Sequence, residues 1–256
     1  MSAWLLLFRK EMLENARNFK WLWIPLVFLA LGISNPITTY YMPEILQASG
    51  VAEEAAKLIP VPTSEEIIVK SLSQYGTLGL LVLALSFMGI VAGERLSGSV
   101  IMVLVKPVRH FDYITSKWAA MTCLTLAAVL VGQLGVGYYM YVLYEENVIA
   151  EVVISGLIYA LWLVFVNTIT LLLSCVMKSQ AGIAFVSVAI AAVLSLAASL
   201  LGDVMRWSPS RLTAEAGRVV SEGAAGGSLW LVLSTSVLFI VVLLVAAIST
   251  SKRMLR

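Results

Sequence analysis

The charged residues of this 256-residue chain fall into short clusters, separated by stretches of about twenty residues that contain no Asp, Glu, Lys, Arg or His. A bilayer core roughly 30 Å thick requires about 20 apolar residues per helix. Six stretches qualify, at about 21–41, 74–93, 118–142, 152–176, 183–202 and 228–249. With 60% hydrophobic residues, 12% charged residues and a mean hydropathy of +0.94, lipid must be the solvent of most of this surface. The expected fold is a single all-α membrane domain over 1–256, with six transmembrane helices.

Lys and Arg favour the cytoplasmic side of a membrane. With the N-terminus inside, 12 of the 17 basic residues are cytoplasmic, and only Lys57, Lys70, Arg206, Arg211 and Arg218 lie in outer segments. Both termini are therefore expected in the cytoplasm. The apolar run Trp4 to Phe8 is too short for a secretion signal, and its basic residues Arg9 and Lys10 follow it rather than precede it. The segment is expected to be retained.

Residues 2–20 carry Leu5, Phe8, Met12, Ala16 and Phe19 at helical spacing, with Arg9, Lys10, Glu14, Arg17 and Lys20 on other faces. This is the pattern of an amphipathic helix lying in the inner membrane interface, serving as an anchor, a docking surface or both. Before the second span, Thr63 and Glu66 form a capping box ahead of Ile67, Ile68, Val69 and Leu72. Before the sixth, Leu212, Ala216, Val219 and Val220 follow a Ser208-Pro209 turn. Short extracellular helices are expected at both places.

What the spans lack narrows the function. Ion-coupled transporters need ionisable groups within the bilayer, and none of the six stretches holds one. An uphill transporter built this way must draw its energy from outside the membrane. The single histidine, His110, lies in a cytoplasmic loop, and no His-Glu-x-x-His pattern is present. No catalytic residue, metal ligand or cofactor site is expected. The net charge of +2 and the absence of a basic aromatic stripe argue against a nucleic-acid partner. Cys123 and Cys175 sit in or beside apolar runs and imply no disulfide framework. The polar residues within spans, Gln133, Asn167 and Thr170 among them, serve either as interhelical glue or as the lining of a transport route. The Gly89 and Gly93 pair suits either packing within the chain or dimerisation.

The loop 94–112 between spans two and three is the most informative segment. Its sequence Gly93-Glu94-Arg95-Leu96-Ser97-Gly98-Ser99, continuing through Val103 to Lys106-Pro107-Val108-Arg109, is half apolar yet too short to span. It reads as a helix from about Ser97 to Val105, stopped by Pro107, at the membrane surface and able to enter a groove on a cytosolic partner.

These residues resemble the permeases of type-2 ATP-binding cassette exporters. The shared pattern is Glu94 at the end of the second span, Gly98 with Ser99, the apolar run Val100 to Val105, and Pro107 with Arg109. The Lys10-Glu11 pair on the leading helix and Lys117 at the start of the third span extend it. Ser99 stands where threonine is usual, and Lys106 just before the proline is a second departure. The resemblance implies that Glu94, Gly98, Ser99, Val103, Lys106, Pro107 and Arg109 couple the spans to an ATPase, with Arg9, Lys10 and Glu11 on the interfacial helix. It implies two ATPase subunits and a second permease copy or a related permease, embedded in the lipid of a bacterial or archaeal plasma membrane. The sequence has no Gly-x-x-x-x-Gly-Lys-Ser/Thr loop, so ATP and magnesium would bind the separate subunit. An apolar route suits a hydrophobic or amphipathic cargo, such as an antimicrobial peptide, antibiotic or lipid-like molecule. A membrane scaffold or sensor that recruits an ATPase without moving cargo is the alternative.

Overall fold

The computed structural model describes residues 2–48, 62–99, 108–222 and 227–252. Lipid offers no partners to backbone N–H and C=O groups, so a chain this apolar satisfies them internally as helices. No strand occurs among the described residues. Helix α1 (Ala3–Arg17) turns into α2 (Lys20–Tyr40) through Phe19, whose φ of 55° is left-handed. Helix α3 (Met42–Ala48) follows. The second span is composite: α4 (Ser64–Gln74), a π turn (Tyr75–Gly79), α5 (Leu80–Phe87), a break at 88–91, and α6 (Ala92–Leu96). Then come α7 (His110–Tyr144), α8 (Ile149–Val176), α9 (Gln180–Leu200), α10 (Leu212–Glu222) and α11 (Leu229–Ser251). Six helices are long and apolar enough to cross a membrane: α2, the composite Ser64–Leu96, α7, α8, α9 and α11.

Helix α8 is the axis of the fold. It packs on α5, α7, α9, α10 and α11, and Tyr159, Trp162, Leu163 and Leu171 on it are buried. Helix α11 lies at the edge, with Trp230, Leu238 and Val245 exposed. Between these extremes α2 carries two internal prolines, Pro25 and Pro36. Pro36 has no N–H to give to the Gly32 carbonyl one turn back. The hydroxyl of Ser71 donates to that carbonyl instead, at 3.2 Å.

Helices form at both places ahead of the second and sixth spans. The Thr63 side chain accepts from the Glu66 N–H and starts α4, which runs on into the second span through the π turn rather than ending before it. Helix α10 buries Leu212, Ala216 and Val219 against α8 and α4. The apolar stripe of α1 is not the face that meets α7. Leu5 and Phe19 are 42% and 68% exposed, and the face packed onto α7 carries Glu11 and Asn15 with the partly buried Trp4 and Leu7. Glu11 can turn inward because a buried cation meets it there.

Candidate functional site

That cation is Lys117. Helix α7 starts at His110, eight residues before the expected span, and Lys117 lies two turns inside it with its side chain 1% exposed. Its Nζ is 2.8 Å from Glu11 Oε1 and 3.0 Å from Glu94 Oε1. Lys10 Nζ reaches Glu94 Oε1 at 2.5 Å and Glu11 Oε1 at 3.2 Å. The Tyr113 hydroxyl donates to Glu94 Oε2 at 2.5 Å, and its ring lies 5.1 Å below the Lys117 ammonium. Two cations thus face two buried carboxylates contributed by α1, α6 and α7. Removing the fully buried member of such a set, Lys117, costs about 3–5 kcal/mol, because the charges it pairs stay buried without compensation.

Burial by itself would lower the Lys10 pKa, but the carboxylates of Glu11 and Glu94 outweigh it and hold the ammonium above the usual lysine value of 10.5. A raised lysine contributes stability at every pH below its unfolded value and loses it only above. Lys10 is therefore charged, and pairing, at any physiological pH. Glu11, Glu14 and Glu94 bring carboxylate oxygens within 4.8 Å of one another, as a metal site would. The Lys10 ammonium, within 3.7 Å of all three, takes the place a cation would occupy.

The other side of the same segment is held by α8 and α9, which the sequence did not signal. At the break in the second span the N–H groups of Val91 and Ala92 lose their helical acceptors. The Ser174 hydroxyl accepts both, at 3.0 and 2.9 Å, and donates to the Met88 carbonyl at 3.2 Å. Arg95 Nη1 donates to the Cys175 carbonyl at the end of α8, at 3.0 Å. Gly89 and Gly93 face the Gln180 amide, which would lie 3.2 Å from a Cβ at either position, so the pair packs within the chain. A serine in an apolar helix carries no sequence mark that distinguishes such a clasp from ordinary i−4 bonding.

Beyond α6 the chain turns at Gly98, with φ of 73° and nothing within 4 Å of where a Cβ would be. The cost of an L side chain there is conformational alone. Gly98→Ala is expected to destabilise this turn by about 1–2 kcal/mol and Gly98→Asn by less, since asparagine tolerates the left-handed region. Hydrogen-exchange rates of residues 94–99 measure it. Ser99 Oγ donates to the Glu94 carbonyl at 3.3 Å. Val103, Lys106 and Pro107 lie outside the described residues, as does most of the expected helix 97–105. Arg109 forms the N-cap position of α7 and is exposed, as is Arg9 on α1.

Gln133, Asn167 and Thr170 are all buried inside the subunit. The Asn167 amide donates to Thr125 Oγ1 at 2.8 Å, and the Thr170 hydroxyl bonds back to the Val166 carbonyl at 3.1 Å. The structure does not bring the three together on an outer face.

Comparison with known proteins agrees in scale with this architecture. A family model described as "ABC-2 family transporter protein" matches residues 5–210. A Bacillus subtilis (strain 168) protein described as "Uncharacterized transmembrane protein YxlG" is 30% identical over 254 residues, covering 99% of this chain and 98% of that one.

Proposed function

Since the chain belongs to the ABC-2 family of transporter proteins, we propose that it is the permease of an ATP-driven exporter whose ATP and magnesium sit on a separate ATPase subunit, two permeases and two ATPases forming the working unit. The termini and the segment after Glu94 face the cytoplasm in this reading. The cargo is hydrophobic or amphipathic. It leaves along a route reshaped between the two permeases when ATP closes the ATPase dimer.

The observation that supports this most is how Glu94 and Arg95, the last charged residues before the coupling segment, are fixed. Glu94 is tied to Lys10 and Lys117, and Arg95 to the end of α8. A push on residues 97–109 is thereby delivered to α1, α7 and α8 together. A packed cluster of this kind transmits displacement because it has discrete arrangements, not a continuum of them. Glu94 and Lys117 are positioning residues in this proposal, and the exposed Arg109 is its contact with the ATPase.

The test is reconstitution with the ATPase that copurifies with the chain. Cargo is expected to stimulate hydrolysis in nanodiscs, and Glu94→Gln and Arg109→Ala are expected to abolish that stimulation while both subunits still copurify. Hydrolysis blind to every cargo would instead support a recruiting scaffold. Transport by this chain without an ATPase would overturn the proposal.

A further inference from the structure

Among the described residues away from the charged cluster, three side chains no more than 1% exposed have polar groups with no hydrogen-bond partner within the protein. They are the hydroxyls of Tyr75 and Tyr159 and both amide atoms of Gln133. Tyr75 and Gln133 are 0% exposed and Tyr159 is 1%. A buried polar group left in this condition costs about 1–3 kcal/mol, and phenylalanine would fill the space of either tyrosine without that cost.

Glycine contacts link the three in a closed ring. The Tyr75 hydroxyl presses against Gly32 of α2 and Gly132 of α7. Gln133, the next residue, lies along Gly156 of α8, where a Cβ would sit 2.9 Å from its Cδ. One turn further on, the Tyr159 hydroxyl lies 2.6 Å from where a Cβ of Gly76 would be, and Gly76 follows Tyr75. Tyr75, Gln133 and Tyr159 are each ten or eleven residues from the near ends of their helices, at Ser64, Tyr144 and Ile149. That is roughly 15 Å along each helix. Tyr75 also opens the π turn, a geometry found frequently at functional sites.

The ligand follows from the donor set. Two hydroxyls that both donate and accept, with an amide that donates from nitrogen and accepts at oxygen, match a small neutral molecule with the same dual character. None of the residues forming the ring contacts is ionisable as a carboxylate or amine, so an ion would lack its counter-charge. Buried water typically makes about three hydrogen bonds to groups of this kind. We propose that Tyr75, Gln133 and Tyr159 form a binding site for ordered water in the body of the subunit, at the meeting point of α2, the π turn, α7 and α8. The site lets these elements adhere through exchangeable bonds at the level where the π turn interrupts the second span.

X-ray radiolytic footprinting of the full-length protein in nanodiscs uses water itself as the probe, because radicals formed from a bound water oxidise the side chains beside it. Tyr75 and Tyr159 are expected to be oxidised faster than Met121, which is fully buried and intrinsically more reactive. Gln133→Leu should lower both tyrosine rates several-fold and leave exposed Tyr138 unchanged. Where that variant does not fold, the near-isosteric Gln133→Met serves the same purpose. Tyrosines as protected as Met121, or rates indifferent to the loss of the amide, would overturn the proposal. So would a Tyr75→Phe variant with a raised unfolding temperature, since a hydroxyl without a partner is better removed.

Discussion

Lys117→Met is expected to lower stability by about 3–5 kcal/mol, more than any other single change in the charged cluster. Methionine fills much of the volume of the lysine stem, so the loss is electrostatic and not a cavity. With Lys117 gone, Glu11 and Glu94 keep only Lys10 between them, and their side chains are 7% and 11% exposed. The deficit should shrink as pH falls, because a buried carboxylate without its cation takes up a proton, and a folded state that binds more protons than the unfolded one gains stability on acidification. Combining Lys117→Met with Glu11→Gln removes one charge of each sign and should recover most of the loss. Thermal unfolding in detergent across pH 5 to about 8 measures all of this. A single variant as stable as the parent at neutral pH would mean that the cluster is not the buried, fully paired set described above.

Gly132→Ala is the second large effect, with an expected cost of about 2–3 kcal/mol despite alanine's better helix propensity. Its methyl group would run into the Tyr75 hydroxyl and sit 2.9 Å from the Phe28 carbonyl oxygen, and the latter is backbone that cannot turn away. Gly76→Ala offers the contrast. There the methyl meets the Tyr159 hydroxyl at 2.6 Å and the next atom of that ring at 3.8 Å, an ordinary contact distance. Tyr159→Phe should therefore relieve Gly76→Ala, whereas Tyr75→Phe should relieve Gly132→Ala only in part. Unfolding temperatures of the four variants decide it. Equal rescue at both positions would show that the α2 and α7 backbones can separate, against the close approach described.

How far each of these residues was visible in the sequence differs with its chemistry. Glu94, Lys10, Glu11 and Lys117 were picked out as members of a family pattern, but the sequence placed Lys10 and Glu11 on an interfacial helix and Lys117 at a span's threshold. Their convergence depends on pairs 106 and 84 residues apart, Lys117 with Glu11 and Lys10 with Glu94. Ser174 and Gln180 were not visible at all, since a hydroxyl or amide in an apolar stretch looks the same whether it bonds its own helix or stitches a neighbour. Tyr75 and Tyr159 carry no distinguishing mark in the sequence, and Gln133 reads as glue or route lining. Their lack of partners is a property of the packed chain.

Local sequence is enough to establish that this protein lives in lipid, that six of its helices can cross it, and where capped helices such as α4 begin. Those outcomes are set by the solvent acting on windows of about twenty residues, in which each backbone group bonds within its own segment. Packing between distant segments sets which face of α1 is buried, where the second span gives way to a π turn and a break clasped by Ser174, and which charges share a site. Burying a charge is favourable only when its partner arrives with it, and hydropathy summed along one segment carries no information about a partner on another.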